Sequence, residues 1–294
     1  MSGAGYNSQT CTRYEISHEF MTRYWTQLVI FSAQDESWPR VLTQNLTLIY
    51  SIAQRRGLAA ENVWPQDFRH IHTAACVRTF HDQGAHVIAV ARSESDLATL
   101  AKDHPSIEIW REDVTEDGFL AHVKTLKQLD VLVNNAGFND PKPMSETSVE
   151  TLDMMLRLNV RSAYLASQGA LSVMARQGGS IVNMTSQMGH VGSPNRTVYC
   201  MTKHAVEGLT KAMAVEVAQQ GIRVNSVAPT FIETDLTFPM LADPNFPEFV
   251  LNNIPMGKLG QAEDAVNAVI FLSSSASGMT TGHSLLVDGG WTAQ

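Results

Sequence analysis

From about Ala74 onward the chain alternates between short apolar runs and amphipathic stretches. The runs Ala85–Ala91 (AHVIAVA), Ile107–Trp110, Asp130–Asn134 (DVLVN), Ser180–Met184 (SIVNM), Ile222–Val227 (IRVNSV) and Ser284–Val287 have the length and composition of buried strands. Between them, apolar positions recur at helical spacing over Ser93–Asp103, Glu116–Lys127, Ser145–Gln177, Thr197–Gln219 and Ala262–Ser273. VIAVA and DVLVN are apolar on both faces, as a parallel sheet covered by helices on each side requires. The alternation predicts a doubly wound α/β fold with a parallel sheet, formed as a single domain by residues 74–294.

Residues 1–73 break this pattern. Gln27–Ala33 (QLVIFSA) and Leu46–Ile52 (LTLIYSI) each fit either a strand or a short helix. The segment carries 10 of the chain's 22 aromatic residues but only 3 of its 19 glycines, and no lysine. Its 6 arginines balance 6 acids, so the formal charge of −8 resides entirely in residues 74–294. We read it as an atypical N-terminal segment.

Composition narrows the function classes. Charged residues make up 17% of the 294, against roughly 25% in typical soluble domains, which points to a large buried fraction or an oligomer. A net acidic chain lacks the electrostatic footprint of a nucleic-acid or anionic-membrane binder. The three cysteines, Cys11, Cys76 and Cys200, form no metal-binding pair, and the histidines His70, His72, His81 and His86 match no zinc spacing, so no metal is expected. With no leader pattern and no apolar run of 18 residues, the sequence reads as a soluble, cytoplasmic protein.

The strongest chemical signal is Tyr199-Cys-Met-Thr-Lys203, with Ser186 upstream. On a helix, positions i and i+4 share a face, so the phenol and the ammonium point into one pocket. A nearby cation favours phenolate and draws the tyrosine pKa from about 10 towards neutrality, where an acid/base works best. Ser186 follows the strand SIVNM, at the carboxyl end where open α/β sheets place ligands. A Tyr/Lys pair alone is what many solvated helix faces present; the order strand, Ser, Tyr, Lys sets this one apart.

These residues resemble the short-chain dehydrogenase/reductase family. So do Asn134-Asn135-Ala136-Gly137, Asn159 in RLNV, IRVNSVAPTFIET at 222–234 and TGHSLLVDGG at 281–290. VYCMTK, APTFIET and SGMTTG look most like the sugar and polyol branch, members similar to L-xylulose reductase. The resemblance implies a Rossmann-like fold and an NAD(P)-dependent oxidoreductase acting on a small polar ketone or secondary alcohol. Tyr199 would be the general acid/base and Lys203 its partner, also bonding the nicotinamide ribose. Ser186 would polarise the carbonyl, and Asn159 would hold a relay water. The nicotinamide would supply the redox chemistry.

Cofactor contacts follow from the same resemblance: Asn135 and Gly137 at the end of a buried strand, Asp113 and Val114 at the adenine, Pro229, Ile232 and Thr234 at the carboxamide and phosphates, with Tyr199 and Lys203. Thr230 replaces the family's usual glycine. Where NAD-preferring members place an acid, this chain has Arg92-Ser93. An arginine fork suits a 2′-phosphate, which favours NADP over NAD; stacking on adenine or facing solvent are the alternatives for Arg92.

The family's glycine-rich turn, TGxxxGxG, is missing. Its first glycine belongs about 17 residues before Gly84, where the chain reads QDFRHIHT, with no glycine from 58 to 83. Those glycines let the backbone reach the pyrophosphate at a helix N-terminus, and Phe68, Arg69, His70 and Ile71 should obstruct it. Ala74–Gly84 nonetheless reads as the rest of the first helix, as though residues 1–73 were foreign to the fold. A non-catalytic homologue acting as a subunit or binding module is therefore the alternative function.

Residues 235–258 carry four of the eleven prolines and match the family's substrate lid, with Met240, Phe246 and Phe249 as pocket candidates. Gln187, His190 and Asn195 are candidates for binding substrate hydroxyls. The long helices Ser145–Gln177 and Thr197–Gln219 match those the family pairs across its interface, so a homotetramer or homodimer is expected.

Overall fold

The computed structural model describes residues 28–32, 71–175, 178–233 and 245–294. Their order is β1 (Leu28–Ser32), α1 (Ile71–Asp82), β2 (His86–Ala91), α2 (Glu94–Asp103), β3 (Glu108–Arg111), α3 (Asp117–Val123) and β4 (Val131–Asn134). There follow α4 (Val149–Leu156), α5 (Ser162–Met174), β5 (Gly179–Met184), α6 (Thr197–Val217), β6 (Ile222–Pro229), α7 (Asn245–Asn253), α8 (Ala262–Ser273) and β7 (Ser284–Val287). The seven strands form one sheet in the order β3-β2-β1-β4-β5-β6-β7.

Helix starts follow local chemistry. The Ser93 hydroxyl accepts the Asp96 amide at 3.3 Å ahead of α2, and Ser148 accepts the Thr151 amide at 3.2 Å ahead of α4. Gln261 and Asp264 form a reciprocal box at the start of α8.

Side chains on β2 alternate between two cores. Val87 and Ala89 join Val77 and Phe80 of α1 and Val266 and Val269 of α8 on one face. Ile88 and Val90 join Phe119 of α3, Ala170 of α5 and Val217 of α6 on the other. Phe80 is fully buried, so Phe80→Ala would cost about 3–5 kcal/mol.

The expected parallel sheet is present in β2–β3 and from β4 to β7. Its central strand β1 departs from it, running antiparallel to both neighbours, Leu28 facing Val90 on β2 and Asn134 on β4. An antiparallel strand completes the ladders of β2 and β4 as well as a parallel one does, so their pairing does not fix its direction. It is also Leu28–Ser32, within Gln27–Ala33, that takes this place; Leu46–Ile52 lies outside the described residues.

The single helix expected over Ser145–Gln177 is instead two, joined by a π turn at Arg157–Arg161. Among the described residues, no helix is long and apolar enough to cross a membrane.

Candidate active site

Strands β4, β5 and β6 deliver their carboxyl ends to one edge of the sheet. A buried polar chain fixes two of them: Asn134 Nδ2 donates to Ser167 Oγ at 2.9 Å and Asn183 Oδ1 at 2.8 Å, and Asn183 Nδ2 donates to Thr210 Oγ1 at 2.9 Å. These bonds specify the register between β4, β5 and α6 and offset the desolvation cost of the amide groups that make them. Asn134 Oδ1 is buried without a partner among the described residues.

The π turn places Asn159 in this region. Its Oδ1 accepts the Phe138 amide at 2.7 Å, and its Nδ2 donates to Phe138 O at 2.8 Å and Thr202 Oγ1 at 3.0 Å. The extra residue in the turn aims the amide at the loop after β4, a use such bulges often have. Gly137 lies opposite, where an added Cβ would stand 3.4 Å from Lys203 Nζ and 3.6 Å from Asn159 Oδ1. A side chain here would fill the space facing the ammonium.

Lys203 is buried, and its Nζ donates to Met184 O at 2.9 Å. The ammonium lies 5.5 Å from the centroid of the Tyr199 ring. Ser186 is buried at the start of a short turn, donating to Gln187 Oε1 at 2.7 Å and hydrogen-bonded to Tyr199. The structure thus brings Ser186, Asn159, Tyr199 and Lys203 into one cluster.

The expected depression of the tyrosine pKa is corrected. Burial pushes Tyr199 up to about 12, opposed by the Ser186 hydrogen bond and the positive charge of Arg196. Desolvation outweighs the positive charge of Arg196 here. Burial also brings Lys203 down to about 8, with the Glu207 carboxylate opposing that shift. Tyr199 is therefore a protonated donor and Lys203 a mostly charged ammonium at neutral pH.

The cofactor candidates divide. Arg92, at the end of β2, donates to Asp113 at 3.3 Å, while Asp113 also accepts the Thr115 amide and hydroxyl at 2.9 and 2.7 Å. Val114 is buried beside them, and Asn135 and Gly137 line the loop after β4. Pro229 ends β6. The Ile232 side chain is buried, and a Cβ on Gly260 would stand 2.5 Å from its Cδ1, so a ligand would meet its backbone. Thr234, Met240 and residues 67–70 of the missing glycine turn lie outside the described residues.

Of the substrate candidates, Gln187 is turned towards Ser186, and its Nε2 has no partner among the described residues. His190 is exposed, with its Nε2 2.9 Å from Ser284 Oγ and 3.3 Å from Glu207. Asn195 is exposed on the loop before α6, and Phe249 on α7 is half-exposed, 6.1 Å from Trp291 between ring centroids.

Sequence reasoning missed Arg196 and Glu207. Arg196 is buried with its guanidinium 5.6 Å over the Phe231 ring. The signal for Glu207 was present: it extends the Tyr199/Lys203 spacing by another four residues. Ligand atoms of His81, Asp82 and His104 come within 4.8 Å of one another at the surface, a grouping the sequence did not reveal; His86 lies apart, 3.4 Å from Glu108.

Comparisons with known proteins place the chain among similar sequences and folds. The family model described as enoyl-(acyl carrier protein) reductase matches residues 73–292. L-xylulose reductase of Homo sapiens is 38% identical over 220 residues, covering 74% of this chain and 90% of that protein. D-erythrulose reductase of Gallus gallus is 37% identical over 211 residues, 71% of this chain and 86% of that protein. A crystal structure of gluconate 5-dehydrogenase from Burkholderia cenocepacia, in complex with NADP and tartrate, superposes with a TM-score of 0.72 at 30% identity, covering 77% of this chain and 92% of that one.

Proposed function

Since the chain belongs to the short-chain dehydrogenase/reductase family of NAD(P)-dependent oxidoreductases, we propose that it reduces a small polar ketone, of the sugar or polyol class, with NADPH. The observation carrying this reading is a half-buried Tyr199 hydrogen-bonded to Ser186, with the buried Lys203 ammonium on the same helix face, 5.5 Å from the Tyr199 ring centroid. The names of the relatives support the substrate class, and Arg92 supports the 2′-phosphate over plain NAD.

A nicotinamide held here would supply the hydride for the carbonyl carbon. The Ser186 hydroxyl donates to the carbonyl oxygen and orients it. Tyr199 transfers its proton to that oxygen as negative charge develops there. The Lys203 ammonium stabilises the phenolate left behind, and Asn159, linked to Thr202 beside Lys203, opens the route by which the proton returns from solvent. The open space at Gly137, where an added Cβ would stand 3.4 Å from Lys203 Nζ, is where a nicotinamide ribose would be held. Arg92, Asp113, Val114, Asn135, Pro229, Ile232 and Thr234 would hold the rest of the cofactor.

The reading extends to assembly as a homotetramer or homodimer in the cytoplasm. Tyr164 on α5 is half-exposed beside a groove of about 710 Å³ lined by Leu156, Arg157, Val160 and Arg161, a surface suited to a second copy.

A second reading has its own support. No glycine occurs from 58 to 83, so the turn that would admit the pyrophosphate is absent. On that reading the chain is a non-catalytic subunit with a defective cofactor site. Titration with NADPH and NADH, followed by energy transfer from tryptophan, separates the two: saturable binding tighter for NADPH supports the enzyme, and no binding supports the subunit. Tyr199→Phe should then lower kcat for ketone reduction by at least about 10³-fold while leaving NADPH affinity within about threefold. Unchanged turnover in this variant would remove the tyrosine mechanism.

A further inference from the structure

Glu207 is a buried carboxylate that the proton-transfer steps above do not use. It lies one helical turn beyond Lys203 on α6, and three hydroxyls donate to it. Thr185 Oγ1 reaches Oε1 at 2.5 Å, Ser284 Oγ reaches Oε1 at 3.0 Å, and Ser226 Oγ reaches Oε2 at 2.8 Å. His190 Nε2 stands 3.3 Å from Oε1. These four partners come from the end of β5, from β7, from β6 and from the turn after Ser186.

The same turn lies hard against the helix. A Cβ on Gly189 would stand 3.1 Å from Glu207 Cγ and 3.2 Å from Lys203 O. Thr185 is the residue immediately before Ser186, so the carboxylate holds the chain next to the serine through the Thr185 hydroxyl. Three hydroxyls are an unusual complement for a buried carboxylate, because none of them neutralises its charge. The titratable groups facing Glu207 are Lys203 on its own helix and His190 from the turn; β6 and β7 contribute the neutral Ser226 and Ser284. Lys203 in turn faces Tyr199 and Glu207 on α6, Asn159 from the π turn and the Met184 carbonyl from β5.

We propose that Glu207 is a positioning residue: its carboxylate clamps the Ser186 turn to the Tyr199/Lys203 helix and is the counter-charge for the buried Lys203 ammonium. A neutral glutamine keeps the size and part of the hydrogen bonding but removes the counter-charge. The direction of the Glu207 effect on Lys203, upward against the pull of burial, agrees with this. The proposal rests on Lys203 and Tyr199 as the proton-handling pair, but its test needs no turnover.

The test follows trace acetylation of Lys203 in the full-length chain from about pH 6 to about pH 10, read by peptide mass spectrometry against the exposed Lys211. The Lys203 midpoint should fall by at least about half a pH unit in Glu207→Gln and stay near the parent value in Glu207→Asp. An unchanged midpoint in folded Glu207→Gln overturns the counter-charge. Lys203→Met and the double variant give a second measurement, the urea midpoint of unfolding. Glu207→Gln should cost less in the Lys203→Met background than alone; if it fails to fold alone, the double variant should fold. Equal losses in both backgrounds, or failure of both while Lys203→Met folds, overturn the charge coupling. If the chain reduces ketones, Glu207→Gln should also move the upper limb of its pH profile to lower pH, whereas loss of turnover in every form bears on the enzymatic reading alone.

Discussion

The two halves of the sheet are built on different terms. From β4 to β6, polar side chains carry the register: Asn134 bonds Asn183, Asn183 bonds Thr210, and Asn159 bonds Phe138 and Thr202. From β1 to β3, apolar packing does most of this work, through Val87, Ala89 and Phe80 against α8. The difference accounts for how β1, the strand outside the stretch the family model matches, can depart from it without disturbing the sheet. An apolar layer accepts any strand with hydrophobic side chains, and an antiparallel β1 satisfies the amides and carbonyls of β2 and β4. A polar network loses its satisfaction when any one member changes. The glycine turn is a third case: it adds little to packing, so its loss need not disturb the fold, but nothing bulkier lets a pyrophosphate approach.

The largest effect that would break this comparison is on cofactor affinity. Replacing residues 1–73 with a parallel strand and a TGxxxGxG turn should raise NADPH affinity by about 100-fold or more, since the change restores several backbone hydrogen bonds to phosphate. Isothermal titration of both chains measures it. Equal affinities would show that the present N-terminal segment already provides a pyrophosphate site, and the contrast between the halves would fall.

What was legible in the sequence follows the same division. The strands from His86 to Val287 were readable because buried parallel strands are apolar on both faces and each is followed by a helical period. The Ser186, Tyr199 and Lys203 cluster was readable because helical spacing and strand ends place them. The direction of β1 was not, because a five-residue apolar run carries no polarity. Nor was the π turn, which arises from the tertiary bonds of Asn159 rather than from local propensity. The tyrosine's pKa was misjudged because sequence shows a nearby cation but not the depth of burial that outweighs it.

A smaller effect sharpens the polar half. With Lys203 at about 8, ketone reduction should be flat below that pH and fall by up to about tenfold per unit above it, as the ammonium deprotonates. Tyr199, near 12, stays protonated across this range and contributes no limb. Stability runs the other way. The folded-state pKa of Lys203 lies below its ordinary 10.5, so between about 8 and 10.5 the unfolded chain binds more protons, and this group's contribution to stability rises with pH. Opposite trends of rate and stability above pH 8, measured by initial rates and urea unfolding, are the signature of this one buried amine.

The smallest effect tests the boundary between the halves. Arg92 follows β2 and reaches across to Asp113 beyond β3, so it stands at the edge of the apolar half where the proposed cofactor site would begin. If its guanidinium reads the 2′-phosphate, Arg92→Ala should weaken NADPH by about tenfold, the worth of one charge-assisted pair in a partly exposed site, and change NADH by less than about twofold. If it stacks on adenine instead, both cofactors should weaken alike, because they share that ring. Only the first outcome makes Arg92 the point at which this half of the molecule selects its cofactor. The second would confine Arg92 to a contact both cofactors share and leave the choice between them to other residues.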